Sequence, residues 1–168
     1  MNAIKFYRHA TATDAVLEYN FYDHKFAPTN LVVRKVLMAM LHSVQNHLTD
    51  LEVEYNDNML VEKVGGNAAR ILKLLGASTE NVQDNYRGET VVSRTFTAKM
   101  TPERFQYFYE LKDVGELSCF ALKEQALDRI VSYFNQYLLV VIPLQEEKNF
   151  FEQLQEMHVP YQVQAINK

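Results

Sequence analysis

Two glycines followed by an asparagine, Gly65-Gly66-Asn67, form the stretch of this sequence that is best suited to binding an anion. The turn is predicted to lead from a strand into a helix, and the free N–H groups and the dipole at a helix N-terminus attract negative charge. Arg70 follows within the next turn and adds a cation. The stretch lacks the spaced glycines and the Lys-Ser/Thr ending of a P-loop. We therefore predict a site for a phosphate-bearing small molecule or nucleotide at Gly65, Gly66, Asn67 and Arg70, beside the simpler interpretation that the turn only ends a strand and caps a helix.

Tyrosine and arginine, which often anchor protein interfaces, stand next to each other at Tyr86 and Arg87. This pair belongs to the most polar part of the chain, residues 77–88, which is predicted to be an exposed loop. Tyr107 is a further candidate, since its phenylalanine neighbours lie on the predicted core face of a helix and leave Tyr107 exposed. We therefore predict contacts with another protein at Tyr86, Arg87 and Tyr107, with a plain surface loop as the alternative for the first two.

The histidines and the single cysteine show no spacing that is typical of catalysis or of metal binding. His42 and His47 are five positions apart, which on a helix turns their side chains away from each other. Two His-x-Thr triplets begin at His9 and His47, but phosphoesterases that use such triplets need both on neighbouring strands, and His47 is predicted to end a helix. Cys119 lies in a short apolar strand, where a thiol acts as a small hydrophobe. We predict no catalytic residue, no metal ligand and no cofactor, and the sequence favours a protein that is not an enzyme.

Length, charge and composition narrow the class of protein. A chain of 168 residues, of which 48% are hydrophobic, suits a single globular domain. A formal charge of −4 at pH 7 gives no basic field of the kind that attracts nucleic-acid phosphates. One cysteine cannot form an internal disulfide, and neither a secretory signal nor a segment long and apolar enough to span a membrane is present. We therefore expect a cytoplasmic, single-domain protein that binds neither membranes nor nucleic acid.

The predicted fold that positions the candidate residues is organised around one long segment, residues 30–48. Its apolar residues recur three and four positions apart, which predicts an amphipathic helix at the centre of the core, and Thr29 can cap it. The other elements of the first half are predicted to be, in chain order, a strand at residues 2–8, a helix from Thr13 to Phe26, a hairpin with strands at residues 51–55 and 59–64, and a short helix from Asn67 to Gly76.

Strands and helices alternate beyond the predicted loop at residues 77–88, which is also the candidate internal boundary. The predicted elements are a strand at residues 89–100, a helix that starts at Thr101, a strand at 117–122, a helix at 124–134, a strand at 137–144, a helix at 145–158 and a strand at 161–166. This pattern predicts an α+β fold, with a mixed or antiparallel sheet covered by helices. A ferredoxin-like arrangement with an added helix is one candidate for the second half.

The predicted class of function rests mainly on the absence of complete catalytic and ligand-binding motifs. Aromatic residues make up 12% of the chain, while no complete phosphate, metal or nucleophile motif accompanies them. We therefore expect a non-catalytic regulatory, adaptor or inhibitory factor that binds another protein. Two alternatives stay open: a small enzyme or sensor that binds a phosphate-bearing molecule at the Gly-Gly-Asn turn, and a homo-oligomeric unit that pairs through an open sheet edge.

Overall fold

One sheet of nine strands runs through the computed structural model, which describes residues 3–23 and 28–167. The strands are β1 (Ile4–Ala10), β2 (Asp14–Asn20), β3 (Asp50–Tyr55), β4 (Gln83–Arg87), β5 (Thr90–Lys99), β6 (Cys119–Glu124), β7 (Leu127–Tyr133), β8 (Tyr137–Pro143) and β9 (Tyr161–Ala165). The helices of this part of the chain are α1 (Asn30–Val44), α2 (Asp57–Val64), α3 (Ala68–Leu75), α4 (Pro102–Tyr109) and α5 (Glu147–Glu156).

The strands lie in the order β4-β5-β3-β6-β7-β8-β2-β1-β9. Neighbouring strands are antiparallel throughout, except that β1 and β9 run parallel. The sheet is therefore mixed, and the predicted α+β class is confirmed. The ferredoxin-like arrangement is not needed to describe this order.

The predicted central helix is present as α1. The Thr29 hydroxyl accepts a hydrogen bond from the Val32 N–H at 3.4 Å, which satisfies one of the free donors of the first turn. Val36, Leu37 and Met40 are fully or almost fully buried on the face that packs against the sheet and α5. Within the described residues, no helix is long and apolar enough to cross a membrane.

The helices form one layer on one face of the sheet. Helix α1 contacts α5 and α4, and α3 contacts α2 and α4. Along the interior strands every second side chain is buried beneath this layer, as Leu17 and Tyr19 of β2 and Val140 of β8 illustrate. Because successive side chains of a strand point to opposite faces, the residues between them lie on the other face of the sheet.

The predicted helix from Thr13 to Phe26 is wrong, because the chain forms strand β2 there. The strand forms a hairpin with β1 on one side and pairs with the distant β8 on the other, and these pairings override a weak helical pattern. The buried residues of β2 alternate with period two, as a strand requires. Phe26, and Asn2 of the predicted first strand, lie outside the described residues.

Two further elements have the opposite type to the predicted one. Residues 59–64, predicted as a strand, belong to helix α2, because the Asn56 side chain accepts a hydrogen bond from the Met59 N–H and caps the helix. Residues 124–134, predicted as a helix, hold the end of β6, a turn and β7. Gln125 in that turn has a φ of 53°, which stops a right-handed helix from forming across it.

The predicted loop at residues 77–88 is only partly a loop. Gln83–Arg87 forms strand β4, which pairs antiparallel with β5 and is the outermost strand at one side of the sheet. Its side chains are mostly exposed, so a short edge strand and a polar loop have the same composition.

Candidate functional site

The sheet face opposite the helices carries a group of apolar side chains that no described element covers. The strand register aligns these side chains in rows across β6, β7 and β8. One row is Cys119, Tyr133 and Tyr137, and the next is Ala121, Val131 and Leu139. Val16 and Val141 form a further pair beside them. We call this group the open-face patch; its members are Val16, Cys119, Ala121, Val131, Tyr133, Tyr137, Leu139 and Val141.

Partial exposure distinguishes the open-face patch from the core. Its members are neither fully buried nor packed against the core cluster beneath the helices. The rings of Tyr133 and Tyr137 stack with centroids 5.3 Å apart, and Tyr133 is 38% exposed. Burial, together with the nearby Glu54 carboxylate, raises the pKa of the Cys119 thiol to about 11, so this thiol stays protonated at neutral pH. The patch is therefore an apolar surface without a reactive nucleophile.

An acidic column borders the open-face patch on β3. Asp50, Glu52 and Glu54 alternate with buried residues along this strand, and the register places Glu52 beside Ala121 and Glu54 beside Cys119. We call these three residues the acidic flank. On the other side of the patch, Glu18 of β2 lies opposite Leu139. The patch therefore has carboxylates on both sides.

Lysines neutralise only part of the acidic flank. Lys99 Nζ lies 2.8 Å from Asp50 Oδ1, and Lys123 Nζ lies 3.2 Å from Glu52 Oε2. Hydrogen bonding to Lys99 lowers the pKa of Asp50. Glu54 accepts a hydrogen bond from the Ser93 hydroxyl and has no cationic partner among the described residues. Carboxylates outnumber lysines on this face, where the acids are Glu18, Asp50, Glu52, Glu54 and Asp128 and the lysines are Lys5, Lys99 and Lys123.

The residues predicted to bind an anion lie near a separate cleft, between α2, α3 and α4. Gly65–Asn67 is a 3-10 turn that joins two helices, so the predicted strand-to-helix turn is wrong. The Asn67 side chain makes no capping hydrogen bond. Asn67 and Arg70 do line the cleft, whose volume is about 600 Å³, whereas Gly65 and Gly66 do not.

Charges of both signs line this cleft. Its basic side chains are Lys63, Arg70 and Lys112, and its acidic ones are Glu103, Glu110 and Glu116. Tyr107, predicted to be exposed, is instead half-buried in the cleft wall, where its ring packs edge-on against Phe108 and its hydroxyl donates to Glu116. Burial and this carboxylate raise the pKa of Tyr107. The balance of charge gives the cleft no clear preference for an anion.

Tyr86 and Arg87, the other predicted partner residues, lie on the free edge strand β4 and not in a loop. Tyr86 is 63% exposed, and Arg87 makes no ion pair within the described part of the chain. An edge strand offers unpaired backbone groups to another chain, so the position suits a contact residue.

A network of charged side chains at one end of the sheet was not predicted from the sequence. Arg129 is 7% exposed; its Nη2 donates to Glu124 Oε1 at 2.7 Å, and its Nη1 donates to Asp14 Oδ1 at 2.8 Å. His47 Nε2 lies 3.0 Å from Glu146 Oε1, and its Nδ1 lies 3.7 Å from Glu124 Oε2. We call these five residues the Arg129 network.

The Arg129 network borders an open cavity of about 490 Å³. Its charged groups are paired with one another, and removing one partner from such an arrangement is costly because the remaining charges lose their pairing. No group of histidine, cysteine and acidic side chains in the described ranges has the geometry to hold a metal ion. The sequence signal was weak because the members come from the ends of separate strands and from the turns after α1 and β8.

Comparison with known proteins gives no relative. No protein-family model, no curated protein and no solved structure matches this chain.

Proposed function

We propose that this chain is a non-catalytic regulatory, adaptor or inhibitory factor that docks another protein on the open-face patch. One observation carries this proposal: apolar side chains from four neighbouring strands lie side by side on a sheet face that no described element covers. Covering apolar surface is the main favourable contribution to protein association, and contiguous apolar patches on a surface mark interaction sites.

The size of the patch fits the centre of an interface. Neighbouring strands lie about 4.8 Å apart, so four strands span about 15 Å, and five residues along a strand span about 14 Å. A stable interface buries about 800 Å² on each partner, which is more than this area. The acidic flank and Glu18 would therefore form the polar rim around an apolar centre, which is the usual anatomy of an interface.

Site-specific photo-crosslinking in the source cells tests this proposal. A photo-reactive amino acid replaces Leu139 at the centre of the patch, and in a matched control it replaces Glu152 on α5, whose side chain is 53% exposed on the helical side. We expect one defined protein to be crosslinked from position 139 and not from position 152. The proposal is wrong if no protein is crosslinked from position 139, or if both positions capture the same set.

Tyr86 and Arg87 are a second proposed point of contact with the partner protein, which can be tested separately from the open-face patch. Strand β4 lies three strands from β6, about 14 Å from the edge of the patch, so a partner that covers the acidic flank could reach it. Replacing Arg87 with glutamate should weaken capture of the crosslinked protein without changing the thermal unfolding temperature. If capture is unchanged, the partner contacts the patch without reaching β4.

A second candidate function rests on the cleft between α2, α3 and α4. Its volume of about 600 Å³ is within the range of small-molecule sites, and the exposed Arg70 makes no ion pair within the described residues. Because the lining charges of the cleft balance, Arg70 itself would have to select the anion in a sensor or enzyme for a phosphate-bearing molecule. Calorimetric titration with ATP and with inorganic phosphate tests this candidate. Binding should be lost in the variant Arg70→Ala and kept in the control Lys148→Ala, which removes a remote exposed cation.

A further inference from the structure

We infer that the occupant of the open-face patch is an amphipathic helix of the partner protein, with an apolar stripe bordered by lysine or arginine. This inference rests on the proposed function and makes it more specific, because it gives the secondary structure and the charge of the docking segment. It follows from the charges beside the patch and from the fact that the patch has no free backbone N–H or C=O groups for a partner to bind.

The charge of the open face selects a basic partner. Glu52 and Glu54 lie directly beside the patch on β3, and Glu18 lies on its other side. Glu54 and Glu18 have no cationic partner among the described residues, so both are available to pair with an incoming cation. Complementary charge around an apolar centre steers association and sets specificity.

The same charges exclude two other occupants. A nucleic acid would bring phosphates against the acidic flank, which repels them. A second copy of this chain, docked face to face, would bring two acidic flanks into one interface, and like charges brought together cost affinity. A partner with basic side chains meets neither penalty.

Backbone hydrogen bonding selects a helix over an extended segment. A sheet face presents side chains only, since the N–H and C=O groups of β6, β7 and β8 are already paired with neighbouring strands. A lone strand laid on this face would bury its own backbone groups without partners. A helix satisfies its backbone internally and can bury an apolar stripe at no such cost.

The spacing of the acidic flank matches such a helix. Alternate residues on β3 are about 6.8 Å apart, so Asp50, Glu52 and Glu54 form a regular column. Residues four apart on a helix rise by about 6 Å along its axis. A helix aligned with β6 can therefore place basic side chains at four-residue intervals opposite the acidic flank, while its apolar stripe lies on Val131 and Leu139.

Two designed peptides of about 18 residues test the inference, because that length gives a helix of about 27 Å, enough to cross the patch. Both carry the same leucine stripe and a fluorescent label; one has lysines along the border of the stripe and the other has glutamates there. Fluorescence anisotropy at low and high salt measures binding to the full chain. We expect the lysine peptide to bind more tightly and to lose affinity as salt rises, because salt screens the charge pairs.

Charge reversal locates the binding site. In the double variant Glu52→Lys and Glu54→Lys, the dissociation constant for the lysine peptide should rise about tenfold or more, since two attractions become repulsions. The matched control reverses Glu103 and Glu110 in the helical cleft, and there the constant should not change. Alkylation of Cys119, carried out at about pH 9 to increase the small thiolate fraction, should be slower when the lysine peptide is bound, because the peptide covers this thiol.

Each outcome separates the inference from the proposed function. Equal binding of the two peptides would refute the inference that the docking helix is basic. Binding of the lysine peptide without protection of Cys119 would refute its location on the open-face patch. If a protein is crosslinked from position 139 but its contacting segment is not a basic amphipathic helix, the inference is wrong and the proposed function stands. If no protein is crosslinked from position 139, the proposed function is wrong even when the lysine peptide binds.

Discussion

Replacing Arg129 with methionine should lower the free energy of unfolding by about 3 kcal/mol at pH 7. Methionine keeps much of the aliphatic volume of the arginine stem, so the change removes mainly the charge and its hydrogen bonds. For a chain of this length, 1 kcal/mol corresponds to about 2–4 °C in the unfolding midpoint, so the midpoint should fall by about 6–12 °C.

The magnitude follows from the groups that Arg129 leaves behind. Its guanidinium donates to Glu124 at 3.0 Å and 2.7 Å, to Asp14 at 2.8 Å and to the Val141 carbonyl at 3.1 Å. Removing one partner of a buried ion pair costs about 3–5 kcal/mol, since the other charge stays buried and unpaired. The side chain of Asp14 is 16% exposed and that of Glu124 is 35% exposed, so water can solvate both carboxylates in part. We therefore take the lower end of the range.

The cost should depend on pH. The Thr13 hydroxyl and Arg129 lower the pKa of Asp14, and Arg129 lowers the pKa of Glu124. A carboxyl group whose pKa is lower in the folded state stabilises that state above its unfolded pKa, and the contribution is lost as the pH falls through the folded pKa. In Arg129→Met these pKa values rise towards their unfolded values. The difference in stability between wild type and variant should therefore narrow from about pH 5 towards about pH 2.

Urea denaturation, followed by circular dichroism at pH 7, 5 and 3, measures this difference. Lys148→Met is the matched control, because Lys148 is 88% exposed and its removal should cost almost nothing. A difference at pH 3 as large as that at pH 7 would refute the electrostatic explanation and assign the cost to packing. A difference below about 1 kcal/mol at pH 7 would show that the network stabilises no more than an exposed pair.

Two further predictions concern residues with a positive φ at helix ends. Gly76 has a φ of 101°, and a Cβ added there would lie 2.7 Å from the Ala98 Cβ, so Gly76→Ala should lower the unfolding free energy by about 2 kcal/mol or more, measured by thermal unfolding. An unchanged midpoint would mean that the α3 terminus and β5 can separate freely. His158 has a φ of 59° one residue beyond Met157, the C-cap of α5, where glycine is preferred, so His158→Gly should raise the unfolding free energy by about 1 kcal/mol in urea denaturation. A loss of stability would instead show that the imidazole makes contacts worth more than the backbone strain.

Local signals in the sequence predicted the elements that depend on local interactions. Thr29 caps α1, Thr101 accepts from the Arg104 N–H at the start of α4, and Gly76 ends α3 in a left-handed conformation. In each case the residue that determines the boundary is within a few positions of it. The prediction for the β2 segment was wrong because the stability of this strand comes from pairing with β1 and β8. The partner β8 is more than a hundred residues away along the chain.

The surfaces were harder to predict than the elements. The alternation that predicted a strand at residues 51–55 already placed Glu52 and Glu54 on one face, whereas Asp50 lay outside the predicted strand and joins them only in the structure. What lies beside it depends on the strand order, which brings β6 next to β3 across a separation of about seventy residues. The Arg129 network likewise joins residues from distant segments, so spacing along the chain carries no signal of it.

The acidic flank has an energetic cost that the fold alone does not explain. Glu52 and Glu54 point to the same face about 6.8 Å apart, and like charges at that distance repel. Lys123 compensates Glu52, while Glu54 is held only by the Ser93 hydroxyl. A neutral residue at position 54 would remove the repulsion without disturbing the core, since this side chain points away from it. A carboxylate beside an uncovered apolar patch is the arrangement expected if a cation of the docking partner completes the pair.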